Sequence, residues 1–239
     1  MVFSVRLTVQ IVSEREFDDL DLNYGPFLPA DRGAAILDIG CGPGRVLAYL
    51  QASGYRQLEG FDRDPEAVAV ARARTGASVS VGEDWQAILE ARPGAFDLIV
   101  LKDVIYYIPR DRVVAALSAV YRALKPNGCV IVEVFNGVSF TGPFVAYKDE
   151  EIHWVPTEHT VQRFLERAAF VGVSLRAHRP PSRGVRRRIF NAAGAAWRGV
   201  LRAAYLLERG VAEQNPRIFT TKIIATAGRR AAGGRRGPM

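Results

Sequence analysis

Cysteine and long apolar runs are both scarce in this chain. Only Cys41 and Cys129 occur among its 239 residues, which leaves no disulfide or metal framework and points to a reducing compartment. No stretch approaches the roughly 18 uninterrupted apolar residues of a membrane span. Nothing is therefore expected to cross a bilayer, and the expected location is cytoplasmic. The first residues do not resemble a signal peptide: Phe3, Val5, Leu7, Val9 and Ile11 alternate with Ser4, Arg6, Thr8 and Gln10. That strand period predicts an extra edge strand, with an unstructured leader as the alternative. A third absence concerns a single position. A dinucleotide fingerprint needs Gly-x-Gly-x-x-Gly, and where its last glycine would follow Gly40 and Gly42 the chain has Arg45, which argues against a nicotinamide cofactor.

What is present is a globular composition, 49% hydrophobic, at a length that suits one α/β domain. The net charge of +7 is unevenly spread: residues 1–175 carry 17 Lys+Arg against 23 Asp+Glu, and residues 176–239 carry 15 against 2. A mildly acidic body with a strongly basic last quarter points to a polyanionic partner, whether nucleic acid, an anionic membrane surface or a phosphorylated substrate.

The most informative stretch is ILDIGCGPGRVLAYL, residues 36–50. A short apolar strand ends in acidic Asp38, passes through Gly40, Gly42 and Gly44, and opens into a helix. Glycine lets the backbone turn sharply and approach a ligand, and the helix N-terminus adds positive partial charge. Strands at about 35–40, 57–61, 78–81, 96–101 and 129–135 alternate with helices at about 44–53, 65–74, 85–91 and 111–124. This rhythm predicts a parallel sheet covered on both faces, whose carboxyl-end loops converge on one crevice.

The spacing Asp38-x-Gly40-x-Gly42-x-Gly44 resembles motif I of the class I S-adenosylmethionine-dependent methyltransferases, and the resemblance stays in register over the first two thirds of the chain. QLEGFDRDPEAVAVARAR ends its strand in Asp62 beside Arg63, SVSVGEDWQAIL places Asp84 and Trp85 after the third strand, FDLIVLKDVIYYIP puts Lys102 and Asp103 at the mouth of the fourth, and RALKPNGCVIVEVFN matches the turn into the fifth. The resemblance implies a Rossmann-like, doubly wound, mostly parallel seven-stranded sheet with S-adenosylmethionine as cofactor. It implies that Asp38, Gly40, Cys41, Gly42, Gly44, Asp62, Arg63, Asp84, Trp85 and Lys102 form the cofactor site, with Asp62 accepting from the ribose hydroxyls and Asp84 and Trp85 serving the adenine.

Beyond the fifth strand, 136–156 reads as a loop, Thr157–Ala168 as a helix capped by Thr157, VGVSLRA from Val171 as strand six and RIFTTKIIATA from Arg217 as strand seven. The expected organisation is an N-terminal segment at 1–33, a cofactor-binding core at 34–178, a basic helical insertion at 179–216, a final core strand at 217–228 and a disordered basic tail at 229–239. Within the insertion, Ile189, Ala193, Ala196, Val200, Ala203 and Leu207 recur at helical spacing, bordered by Trp197 and flanked by Arg186, Arg187, Arg188, Arg198 and Arg202. Two readings stand open. The apolar face packs on the domain or a second subunit, giving a homodimer, or it lies on an anionic bilayer or over a phosphorylated substrate.

The loop after strand five resembles that of small methyltransferases of polysaccharide and sugar-decorated natural-product assembly. Asn136 matches an asparagine there, Phe135 replaces a proline, and Asp149, His153 and Thr157 follow. The resemblance implies a small hydroxylated acceptor, a sugar or nucleotide sugar. A base must take the acceptor's proton, and the candidates are His153, then Asp103, Tyr106 and Tyr107. Tyr106 and Tyr107 replace the usual Glu-His. A nucleic-acid methyltransferase is disfavoured, because strand four ends in Leu101-Lys102-Asp103-Val104 and not in the Asn/Asp-Pro-Pro-aromatic motif. A non-methylating protein of the same fold is the other alternative.

Overall fold

The computed structural model describes residues 13–82, 84–212 and 215–231. The alternating start of the chain and most of the basic tail lie outside them. Seven strands form one sheet in the order β3-β2-β1-β4-β5-β7-β6: β1 Ala35–Ile39, β2 Gln57–Asp62, β3 Ser78–Val81, β4 Phe96–Lys102, β5 Leu124–Phe135, β6 Val171–Ala177 and β7 Lys222–Gly228. The first five pair in parallel, and β7 runs antiparallel to both β5 and β6. The expected doubly wound, mostly parallel sheet is what the chain forms.

Alternation along the central strands divides the core into two layers. Leu37, Ile39, Ile99, Leu101, Val130 and Val132 point to one face, covered by helices α4 Trp85–Glu90, α5 Val113–Ala123 and α7 Glu158–Arg167. Ile36, Leu98, Val100 and Ile131 point to the other, covered by α1 Glu14–Tyr24, α2 Arg45–Ala52 and α3 Pro65–Arg74. Local chemistry sets the helix starts. Asp64 accepts from the Glu66 amide ahead of Pro65, and Thr157 accepts from the Thr160 amide, each satisfying an orphan donor of a first turn.

Two helices stand where no helix was expected. α1 begins in a reciprocal capping box between Ser13 and Glu16, and α6, Gly142–Tyr147, interrupts the loop after β5. The basic insertion forms α8, Val185–Arg209. Its entry is held by α1: the Asn23 side-chain amide donates to the Arg179 carbonyl and accepts from the Arg179 amide, both at 2.9 Å, and Arg183 pairs with Asp18 at 2.7 Å. Its exit is held by Asn136 and Glu158. Asn136 donates to the carbonyls of Ile218 and Thr220, while Glu158 accepts the amides of Arg217 and Ile218 at 2.8 Å each. These anchors keep 217–221 out of the sheet, so β7 begins at Lys222 and not at Arg217.

Candidate active site

The glycine turn hangs on β2. The amides of Gly40 and Cys41 both donate to the Phe61 carbonyl, at 2.7 and 3.1 Å, and the Gly44 amide closes the turn on the Cys41 carbonyl at 3.0 Å. All three glycines have positive φ, which disfavours any side chain. Their surroundings differ. A Cβ on Gly40 would come within 2.5 Å of the Val104 side chain and one on Gly44 within 2.9 Å of Ala71, but a Cβ on Gly42 would meet nothing within 4 Å. Gly42 therefore faces the open crevice, where a ligand can approach the backbone.

Two acids frame this turn. Asp62 accepts from the Gly42 amide at 2.7 Å through one oxygen and from the Asp64 amide at 3.0 Å through the other, so the end of β2 and the glycine turn are one rigid piece. Asp38 is 1% exposed, and among the described residues neither carboxylate oxygen has a hydrogen-bond partner. Burial pushes its carboxyl up to about 8; Lys102 opposes that rise and Asp62 adds to it. A buried carboxylate left unpaired is costly.

Beside it lies a half-buried ionic cluster around buried Glu133 that the sequence reading missed. Lys222 donates to Asp103 at 2.6 Å and to Glu133 at 2.7 Å, Lys102 reaches the same two acids at 2.7 and 3.0 Å, and the Tyr24 hydroxyl donates to Glu133 at 3.0 Å. Burial penalises the charge of Glu133, but the ammoniums of Lys222 and Lys102 outweigh it and hold the carboxyl well below the usual range. A charged residue inside each of two apolar strands, Glu133 in VIVEVF and Lys222 ahead of IIATA, was the available signal. The ammonium of Lys102, expected in the cofactor site, is held in this cluster by Asp103 and Glu133. Asp103 is likewise a counter-ion first. Its φ of 60° is left-handed, which aspartate tolerates better than most residues.

The remaining candidates gather at a strap formed by residues 149–153. Tyr107 donates to Asp149 at 3.1 Å, Arg63 pairs with Glu151, and the His153 amide donates to the Tyr106 carbonyl at 3.0 Å. The loop after β5 thus crosses the ends of β4 and β2, with His153 exposed at the crossing. Tyr106 is buried, and burial together with the Asp103 charge raises its phenol far above the ordinary range. Tyr107 is raised by burial and then by Asp149. Neither phenol is a base as it stands. Asp84 caps α4 through the Ala87 amide at 3.0 Å, and Trp85 is half-buried beside a cavity of about 60 Å³ shared with Leu37, Ile39 and Phe61. The Cys41 thiol turns inward against Gly60, so only its backbone borders the crevice.

A family model described as a methyltransferase domain matches residues 14–175, the stretch that holds the glycine turn, both framing acids and the strap. The chain belongs to this family. Among curated relatives, the chain is 33% identical over 111 residues to a ubiquinone biosynthesis O-methyltransferase of Thiobacillus denitrificans, covering 44% of this chain and 45% of the relative. It is 31% identical over 144 residues to a malonyl-[acyl-carrier protein] O-methyltransferase of Enterobacter lignolyticus, covering 59% and 53%. The chain spans about half the length of the curated relatives it matches. Of solved structures, a SAM-dependent methyltransferase from Archaeoglobus fulgidus superposes with a TM-score of 0.65 at 17% identity, covering 91% of this chain and 95% of that one. That likeness speaks to the methyltransferase fold.

Proposed function

We propose that this methyltransferase domain transfers a methyl group from S-adenosylmethionine to an oxygen of a small hydroxylated acceptor. The observation that carries the reading is Asp38, a buried carboxylate without a hydrogen-bond partner among the described residues, beneath an open glycine turn. S-adenosylmethionine carries an ammonium and a sulfonium, and its ribose offers two hydroxyls within the reach of an acid such as Asp62. The residues present fit that molecule: Asp38 receives a cation, Asp62 accepts from hydroxyls, the Gly42 face admits the chain, and Asp84 and Trp85 border the adenine side.

When bound, the cofactor supplies a methyl group already activated on positive sulfur. The protein's part is to orient the acceptor and manage one proton. His153 would accept the proton of the acceptor oxygen as that oxygen takes the methyl group, while Asp38 and Asp62 would hold the cofactor in place. Tyr107, held by Asp149 and backed by buried Tyr106, then serves as a wall for the acceptor.

An oxygen acceptor agrees with the names of the relatives, both O-methyltransferases. A sugar or nucleotide sugar is the class favoured by the residues after β5, and the relatives' names point to acceptors of other kinds. Mass spectrometry with isotopically labelled S-adenosylmethionine and a panel of hydroxylated acids, phenols, free sugars and nucleotide sugars tests the reading. We expect label on an oxygen of one class. Tight cofactor binding with no transfer to any oxygen acceptor would favour a non-methylating role.

A further inference from the structure

The long helix α8 turns its apolar stripe away from the protein. None of its residues is buried, and the positions that touch the body recur at three- and four-residue spacing: Arg187, Asn191, Gly194, Arg198, Leu201 and Tyr205 are half-buried. The stripe predicted to pack lies on the opposite side of the wheel. Ile189 is 65% exposed, Val200 57% and Leu207 89%. The reading in which the domain covers this face is thereby corrected, and Arg198, expected beside the stripe, is on the half-buried side.

The stripe is not isolated. Trp197 meets Phe140 edge-on at 5.7 Å, and from there Phe144 and Tyr147 of α6 continue the apolar surface, 71% and 91% exposed. Two elements, one from the loop that supplies the strap and one from the basic insertion, form one aromatic and aliphatic patch joined at that ring contact. Solitary exposed apolar residues are ordinary; a continuous patch of this make-up is an interaction surface.

We propose that α6 and α8 together dock the protein on an anionic lipid surface, with α8 lying in the plane of the headgroups. Charge complementarity selects this occupant. Arg186 and Arg188 border the stripe at its start, Arg202 lies farther round the helix, and residues 176–239 carry 15 Lys+Arg against 2 Asp+Glu. A second copy packed on the same face would bring two such sets of arginines together. A nucleic acid would engage the arginines but leave Ile189, Val200 and Leu207 unmatched. A headgroup layer over acyl chains accepts both. Among the described residues no helix is long and apolar enough to cross a membrane, so α8 lies on the surface. The docking does not depend on methyl transfer.

The test is sedimentation of the full chain with vesicles of mixed phosphatidylglycerol and phosphatidylcholine, and with phosphatidylcholine alone. The protein should pellet with the anionic vesicles at about 50 mM salt and leave them at about 500 mM, where screening shortens the reach of exposed charge. The variant Ile189→Ser/Val200→Ser/Leu207→Ser should bind at least about tenfold more weakly with an unchanged thermal midpoint, since no core residue is touched. Arg186→Glu/Arg188→Glu/Arg202→Glu should weaken binding by about a hundredfold or more. The proposal is overturned by indifference to anionic vesicles at low salt, by a lipid-free dimer that the serine variant dissolves, or by tighter binding to single-stranded RNA than to vesicles at equal salt.

Discussion

The ammonium of Lys222, at the first position of β7, lies 2.6 Å from the carboxylate of Asp103 at the end of β4. It also reaches Glu133 of β5, so the antiparallel strand locks two parallel neighbours together at the floor of the crevice. Removing one ammonium from such a cluster leaves buried Glu133 undercompensated. Lys222→Met should cost about 3 kcal/mol of stability in chemical denaturation. A loss under about 1 kcal/mol would mean that Lys102 alone neutralises both acids.

Glu133 carries a pH signature. Its folded pKa lies below its unfolded one, so the stability it supplies is complete above the ordinary glutamate range near 4.5 and is lost as pH falls toward about 2. Thermal midpoints should drop more steeply across that window in the wild type than in Glu133→Gln. Parallel curves would remove Glu133 from the account of acid stability.

Asp38 predicts the opposite linkage. Its carboxyl is raised to about 8, so at pH 7 it is mostly protonated and must ionise to pair with a bound cation. Binding of S-adenosylmethionine should release close to one proton at that pH, read by calorimetry in buffers of different ionisation enthalpy. Asp38→Asn should abolish the release. Binding without proton release in the wild type would place the cation elsewhere.

Asp62→Ala removes acceptors for two hydroxyls and also frees the Gly42 amide. Cofactor affinity should fall by about 1 to 3 kcal/mol, with the fold retained. Titration calorimetry decides it, and equal affinity would confine Asp62 to bracing the turn.

His153 is exposed, so replacing it costs little packing. If its imidazole takes the acceptor's proton, His153→Ala lowers kcat by about a hundredfold or more and leaves cofactor affinity nearly intact. Normal turnover in the variant would shift the search to Asp149 and the tyrosine pair.

The order of elements in the core was legible because each carries a local signal: Asp38 and Asp62 close apolar strands, Pro65 opens a helix, and Asn127 supports a left-handed turn with a φ of 65°. The parts that were not legible depend on contacts distant in sequence. Nothing near Lys222 announces that it will meet Asp103, since strand order brings them together only after β7 inserts beside β5. α1 was missed because its buried residues Leu20, Asn23 and Tyr24 are few and partly polar. The apolar stripe of α8 was legible as a stripe, but its direction was not, and two readings of it stood open. Periodicity defines a face but does not say what it looks toward.

The two ends of the basic insertion meet. The His178 amide donates to the Lys222 carbonyl at 3.2 Å, and the next pair, Ala177 with Ile223, is already in register between β6 and β7. Everything from 179 to 221 is therefore an expanded hairpin turn, leaving and rejoining the sheet at one rung of the ladder. Such an excursion is portable. Its sequence can drift, lengthen or be exchanged without altering a strand register, which gives the surface of this protein a freedom to specialise that its crevice does not have.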